Sequence, residues 1–422
     1  MQFEEKQPLL TPILRWFMFA MVLANIAGSM YRLMLPLYLS ELGASIVEVG
    51  LVFTITSVVV LLLQIFGGWV SDSIGRLRAI AIGSLGGVVG FFAMLIAPSW
   101  GWMIAAISVG QVAYALVGPS FGAFIAENSS EENRGRVYGL TDTIFRFTGV
   151  IGPPLGGFLA GAYGFRGMLL VAAVLYTLAA GLRVWMATTM RSPVESLGGA
   201  LNLTNFKASL TTLLGMLLGG GVLTWIFITD GVGDIAFRLS GELQPLYLEQ
   251  VAGISVEQIG ILGGIFSIAM MATPILSGRM GDRYGERLPI AIGFFMVFIA
   301  FMIFLNVSTF LGFGFTWVAF GIGVGMLSPA YQSLISKIVP PKMLGTFTGV
   351  FGGAQGFLAL PAPWLGAQLW ARYTPRLPFA ITAAASLLLV IPIWFKFKLP
   401  EEPEGDPGAH RPEAVVSPET AP

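Results

Sequence analysis

Gly68-Trp69-Val70-Ser71-Asp72-Ser73-Ile74-Gly75-Arg76-Leu77-Arg78 joins one long apolar segment to the next. Gly278-Arg279-Met280-Gly281-Asp282-Arg283-Tyr284-Gly285-Glu286-Arg287 does the same further on. Gly68 and Gly278, Asp72 and Asp282, and Gly75 and Gly285 each lie 210 residues apart. A short loop of this composition suits the cytoplasmic surface of a membrane. Its glycines let helices approach, its aspartate can cap a neighbouring N-terminus, and its arginines reach the inner headgroups. One copy could be an ordinary positive-inside loop; two in register argue for duplication.

The register extends well beyond the loops. Pro36-Leu37-Tyr38-Leu39 recurs as Pro245-Leu246-Tyr247-Leu248, 209 residues on. Ser45 to Gly50 recurs as Ser255 to Gly260, and Gly118-Pro119 answers Ser328-Pro329, both at 210. Gly135 and Gly345, Pro153 and Pro363, and Gly156 and Gly366 keep that spacing. A near-constant offset through so many segments reads as two homologous halves of a parallel repeat.

Of 422 residues, 55% are hydrophobic and only 11% charged, with a mean hydropathy of +0.79. Soluble proteins carry roughly a quarter charged residues, so this chain belongs in a bilayer. Its formal net charge is zero, which gives nucleic acid no footing. It has no cysteine, and its single histidine, His410, sits in a polar tail. Disulfides, cysteine-bound metals, thiol chemistry and intramembrane histidine relays are thereby excluded. No nucleophile–base pair suggests an enzyme, no Walker loop suggests ATP hydrolysis, and no cofactor or metal is expected. No cleaved signal peptide is read at the N-terminus.

A membrane span needs about 20 apolar residues. Twelve are predicted, at 13–39, 46–71, 79–97, 102–126, 136–162, 166–189, 217–249, 256–278, 288–306, 309–335, 345–369 and 376–397. The expected fold is all-α, two pseudo-symmetric six-helix bundles at 1–189 and 216–397. A cytoplasmic linker at 190–215 joins them, and a disordered tail follows at 398–422. Basic residues collect on the side of the two loops, leaving Arg166, Arg372 and Arg376 on the other. By the positive-inside rule both termini are cytoplasmic.

The paired loops resemble the signature that follows the second span of Major Facilitator Superfamily transporters and returns, degraded, after the eighth. The resemblance covers residues 12 to about 397 and points to the drug/proton antiporter-like branch with twelve helices. Gly68, Asp72, Gly75 and Arg76 match in the first copy, and Gly278, Asp282, Gly285 and Arg287 in the second, where Glu286 replaces the usual arginine. Gly149-Val150-Ile151-Gly152-Pro153-Pro154 on span 5 is similar to the glycine–proline motif of the antiporters. An arginine found on span 4 in many proton-coupled members is absent, its place taken by Ile107. The resemblance implies alternating access at a plasma (inner) membrane, by a monomer surrounded by lipid. It implies proton-coupled efflux of an amphipathic organic small molecule, with proton-coupled uptake of an organic anion as the alternative. A lipid flippase or a transporter-like receptor is a further alternative.

Ionisable groups at bilayer depth default to function, because each costs about 2.5–3.5 kcal/mol on insertion scales. They gather as Arg32 on span 1, Asp142 and Arg146 on span 5, and Asp230, Asp234 and Arg238 on span 7. The last two groups repeat every four residues, so each shares one helical face. They could neutralise one another as ion pairs, or an acid could exchange a proton while an arginine tunes it. Asp234, near the middle of span 7, is the first choice for the protonation site, with Asp230 and Asp142 as the other proton-coupling candidates. Arg32, Arg146 and Arg238 are candidate substrate ligands, with Asn25, which matches Asp234 at an offset of 209. Gln111, Tyr114, Tyr331, Gln332 and Gln355 could hydrogen-bond a substrate, or one another. The glycines Gly219 to Gly221, Gly231 and Gly233 mark span 7 for a bend. At the loops, Arg76 should pair with Glu127, and Glu286 with Lys337, the two pairs related by 210 with their charges exchanged. Asp72 should cap span 11 near Leu344–Gly345.

Overall fold

The computed structural model describes residues 10–189, 215, 219–340 and 343–397, without the side chains of 65–69, 72, 345 and 346. The expected linker (apart from Gly215) and tail lie outside the described residues. Among those described, every regular element is helical. Twelve spans are present, although only nine helices are by themselves long and apolar enough to cross a bilayer. The other three are accounted for by one merged pair and by two spans broken into shorter pieces.

Span 1 runs Pro12–Arg32 and Leu35–Glu41, span 2 Ile46–Ile74, span 3 Arg76–Leu95 and span 4 Trp100–Asn128. Spans 5 and 6 share one continuous stretch, Glu131–Thr189, folded at Gly164 with φ 72°. Span 7 comprises Val222–Gly241, Gln244–Leu246 and a π-turn at Tyr247–Val251. Span 8 is Val256–Ala272 with Pro274–Tyr284, span 9 Arg287–Asn306 and span 10 Phe310–Ile338. Span 11 is Leu344–Ala359 with Ala362–Arg372, and span 12 Leu377–Lys396.

Most interruptions follow from proline, which cannot donate to the carbonyl four residues back. Pro36 and Pro245 break spans 1 and 7 at matching places. Span 7 therefore bends at its far end as well as at Gly219 to Gly221, where Gly220 has φ 77°, whereas Val222–Gly241 passes helically through Gly231 and Gly233. Those glycines admit close neighbours instead: a Cβ on Gly233 would lie 3.0 Å from the Phe294 ring. Identical capping boxes, Ser45 with Glu48 and Ser255 with Gln258, start spans 2 and 8. Gly75 (φ 90°) and Gly285 (φ 82°) turn the two signature loops through backbone angles that side-chain-bearing residues avoid.

The halves meet on the side opposite those loops. Span 2 presses on span 11, where a Cβ on Gly50 would meet the Pro363 carbonyl at 2.7 Å, and the Trp364 amide donates to Thr54 Oγ1 at 3.2 Å. Span 5 crosses span 8 through Gly157 and Gly260, each leaving less than 3.0 Å for a Cβ on the other. Gln250 donates to Ser40 between the two halves at 3.1 Å. Small residues thus seal one side, as close-packed membrane helices require.

Candidate functional site

Inside the first half lies a cavity of about 500 Å³, walled by spans 1, 3, 4, 5 and 6. Asn25, Arg32, Gln111, Tyr114 and Asp142 all line it. Gly28, one turn after Asn25 on span 1, has no atom within 4 Å of a would-be Cβ and so adds depth. Phe91, Phe121 and Phe145 supply an aromatic wall. Toward the loops the wall ends in Gly118 and Tyr138, both exposed, so the cavity opens on the side where the halves are not sealed. Asp142 is closed into an ion pair with Arg146, Oδ2 to Nε 2.7 Å. Roomy and aromatic, with polar and charged side chains set among the apolar ones, this volume suits an organic molecule.

Asp230, Asp234, Arg238, Tyr331, Gln332 and Gln355 are not on that wall, and neither is Arg146. Arg238 Nε donates to Asp234 Oδ2 at 2.9 Å, so that acid is neutralised on its own helix. Asp230 has no ion-pair partner among the described residues. Gln355 reaches toward it from span 11, yet its Nε2 stops short of hydrogen-bond geometry and ends buried without a partner. Next to Asp230, Thr229 Oγ1 and Tyr331 Oη share a hydrogen bond of 3.1 Å. Gln332 merely donates to Ser328 at 3.4 Å.

Two charged residues escape the sequence reading. Glu242 follows Arg238 by four residues and lies between Arg238 and Arg32, whose charges both act on it. It extends the ladder 230, 234, 238 by one more turn, and that periodicity was available to find it. The Arg32 charge thus acts on an acid from the other half, without an ion pair between them among the described residues. The second is Arg183 on span 6, 4% exposed, which lines the cavity and donates to Ser84 Oγ at 2.9 Å. A lone arginine in an apolar run was its signal.

The loops carry both expected contacts. Arg76 Nε lies 3.4 Å from Glu127 Oε1, and its Nη1 donates to Ser71 Oγ at 3.0 Å. Lys337 pairs with Glu286, which also accepts from Ser333 Oγ at 3.0 Å. The pairs differ in depth: Glu286 is 3% exposed and Glu127 24%. Burial would push the Glu286 carboxyl up, but the hydrogen bonds from Lys337, its own backbone and Ser333 outweigh it and hold the group below its ordinary value. Asp282 is exposed. The side chain of Asp72, like that of Gly68, lies outside the described residues, as does its expected contact at Gly345.

The sequence profile of the Major Facilitator Superfamily matches residues 17–230 and again 231–420. The chain is 25% identical over 369 residues to the multi-drug resistance efflux pump PmrA homolog of Lactococcus lactis, covering 81% of this chain and 89% of that one. It is 26% identical over 387 residues to the multidrug resistance protein MdtG of Escherichia coli O1:K1, covering 88% and 91%. The fold is similar to a crystal structure of a point mutant of the nucleoside transporter NupG, with a TM-score of 0.75 at 15% identity over 91% of this chain and 99% of the other. This duplicated, twelve-span chain belongs to the Major Facilitator Superfamily.

Proposed function

We propose that this transporter exports amphipathic organic compounds in exchange for protons. The observation that carries the reading is the aromatic cavity of the first half, open on the loop side and sealed on the other. On the positive-inside argument the loop side is the cytoplasm. The conformation is then inward-open, ready to load from inside the cell, with both termini cytoplasmic and the protein working as a monomer in the inner membrane. Relatives that are multidrug efflux proteins favour the outward direction.

The proton site is Asp230 in preference to Asp234, because Arg238 already balances Asp234 while Asp230 has no cation beside it. An unbalanced carboxylate at bilayer depth is the group whose proton most changes the local charge. Glu242 feels the charges of both Arg32 and Arg238 and so couples spans 1 and 7 electrostatically. The two loop pairs hold each signature loop to its own half. The linker and the bundle boundaries assigned from sequence complete the reading.

The test is quenching of a fluorescent amphiphile in everted vesicles with and without an imposed proton gradient. Gradient-dependent uptake into the vesicles, lost in Asp230→Asn while amphiphile binding survives, is the expected result. Uptake indifferent to the gradient would overturn proton coupling, and an absence of uptake at any gradient would overturn efflux.

A further inference from the structure

The two halves differ most at Arg183. Ala81-Ile82-Gly83-Ser84 on span 3 answers Ala291-Ile292-Gly293-Phe294 on span 9, and Tyr163 and Arg166 answer Tyr373 and Arg376 at the ends of spans 6 and 12, all at 210. The same register sets Arg183 against Ile393. Buried positions agree with it, since Ala172, Ala173, Ala179 and Arg183 answer Thr382, Ala383, Leu389 and Ile393. In the second half Phe294 and Ile393 are 1% and 0% exposed and belong to one apolar core. At these positions the interface between spans 9 and 12 therefore carries no charge. In the first half the matching interface contains a guanidinium.

No carboxylate lies within ion-pair distance of Arg183 among the described residues. Its Nη1 is satisfied by the neutral hydroxyl of Ser84, and its Nε is buried with no partner. Tyr176, one of its neighbours, sits where Gly87 removes a side chain from span 3. From there an aromatic run leads back along the cavity wall: Tyr176 to Phe91 at 5.0 Å, and Phe91 to Tyr31 at 5.2 Å. A buried cation with an unused donor is expensive unless something negative arrives. Arg183 lies six residues inside the loop-side end of its helix, about 9 Å, within reach of a ligand entering from the open side.

We propose that Arg183, supported by Ser84 and Tyr176, is an anion-binding subsite, and that the cavity takes amphipathic organic anions. The acidic group, a carboxylate or sulfonate, meets the guanidinium, and the apolar body lies along Tyr31, Phe91 and Tyr176. The proposal rests on the cavity being the substrate site and adds the charge of what it binds.

A matched pair of probes tests it: 1-anilinonaphthalene-8-sulfonate and its neutral parent N-phenyl-1-naphthylamine, titrated against the full chain in phosphatidylcholine nanodiscs, where no anionic headgroup competes. Wild type should bind the sulfonate at least about tenfold more tightly than the neutral probe, the scale of a charge-assisted hydrogen bond. Arg183→Gln should abolish that preference, while Arg183→Lys should restore part of it. Equal affinities in wild type, or an unchanged ratio in a folded Arg183→Gln, would overturn the anion subsite alone. Binding of neither probe by wild type would overturn the cavity as an amphiphile site as well. The wild-type ratio does not depend on any variant folding.

Discussion

The halves share a helix plan and differ in what fills it. Where the second half places Phe237, Phe294 and Phe351, the first places Gly28, Ser84 and Thr141, at offsets of 209, 210 and 210. Phe237 and Phe294 stack with centroids 6.4 Å apart, and Phe294 comes against Gly233 of span 7. In the second half these rings pack into the core, and Asp230, with no ion-pair partner among the described residues, sits beside the Thr229–Tyr331 hydrogen bond. The first half, lacking the rings, keeps about 500 Å³ open. Duplication supplied two equal scaffolds, and a few side-chain volumes separate a half with an open cavity from a half that carries rings at the matching positions.

Transplanting the volumes gives the largest expected effect. Gly28→Phe carries the ring of Phe237 into space that no atom approaches within 4 Å. Amphiphile binding should vanish with the fold intact, checked by titration alongside circular dichroism. The converse change, Phe294→Ala, should lower stability by about 3–5 kcal/mol, as truncated core aromatics do, without creating transport through the second half. Unaltered binding in Gly28→Phe would erase the distinction between the halves.

Next come the acids. Asp230→Asn should remove gradient-driven accumulation, whereas Asp142→Asn, whose parent carboxylate Arg146 already neutralises, should retain it. Vesicle uptake at two imposed gradients separates the variants. Equal losses would place proton coupling in both halves.

The gate pairs are smaller still. Lys337→Ala strands Glu286 at 3% exposure and should cost about 1–3 kcal/mol. Arg76→Ala frees a Glu127 near water and should cost about 0–1 kcal/mol. Thermal melts in detergent compare them; a larger loss at Arg76 would reverse the ranking. Glu286 also carries a pH signature. Because its folded carboxyl is held below its ordinary value, its stabilisation is complete above the unfolded carboxylate range and is lost as pH falls through the lowered folded value. The melting difference between wild type and Glu286→Gln should therefore shrink on acidification. A constant difference would mean that the carboxylate is not specially held.

Much of this was legible in the sequence because membrane folds announce themselves. Length, hydropathy and a fixed offset yield twelve spans, and charge pairs on a single helix, such as Asp234 and Arg238, follow from a four-residue spacing. The exchanged pair Glu286–Lys337 could be read because the repeat gave each residue a counterpart. What was not legible depends on how the helices rotate and which rings fill the space. Spacing makes Tyr331 and Gln355 look like cavity residues, yet both are buried in the second half, Tyr331 at 6% exposure and Gln355 at 8%. The glycines foretold the bend at Gly219 to Gly221 but not the one at Pro245, where a missing donor breaks the helix, while Gly231 and Gly233 stay helical. Arg183 was legible as a lone arginine in an apolar run, but its place on the cavity wall beside Ser84 depends on how span 6 is rotated.

The division of labour between the halves is tested most directly by photolabelling with a diazirine-bearing aromatic amphiphile, read out by peptide mapping. Labels should fall on spans 1, 4 and 5 around Asn25, Tyr114 and Phe145, and should be displaced by unlabelled amphiphile. Displaceable labelling confined to spans 7 and 10, around Asp230 and Tyr331, would contradict it.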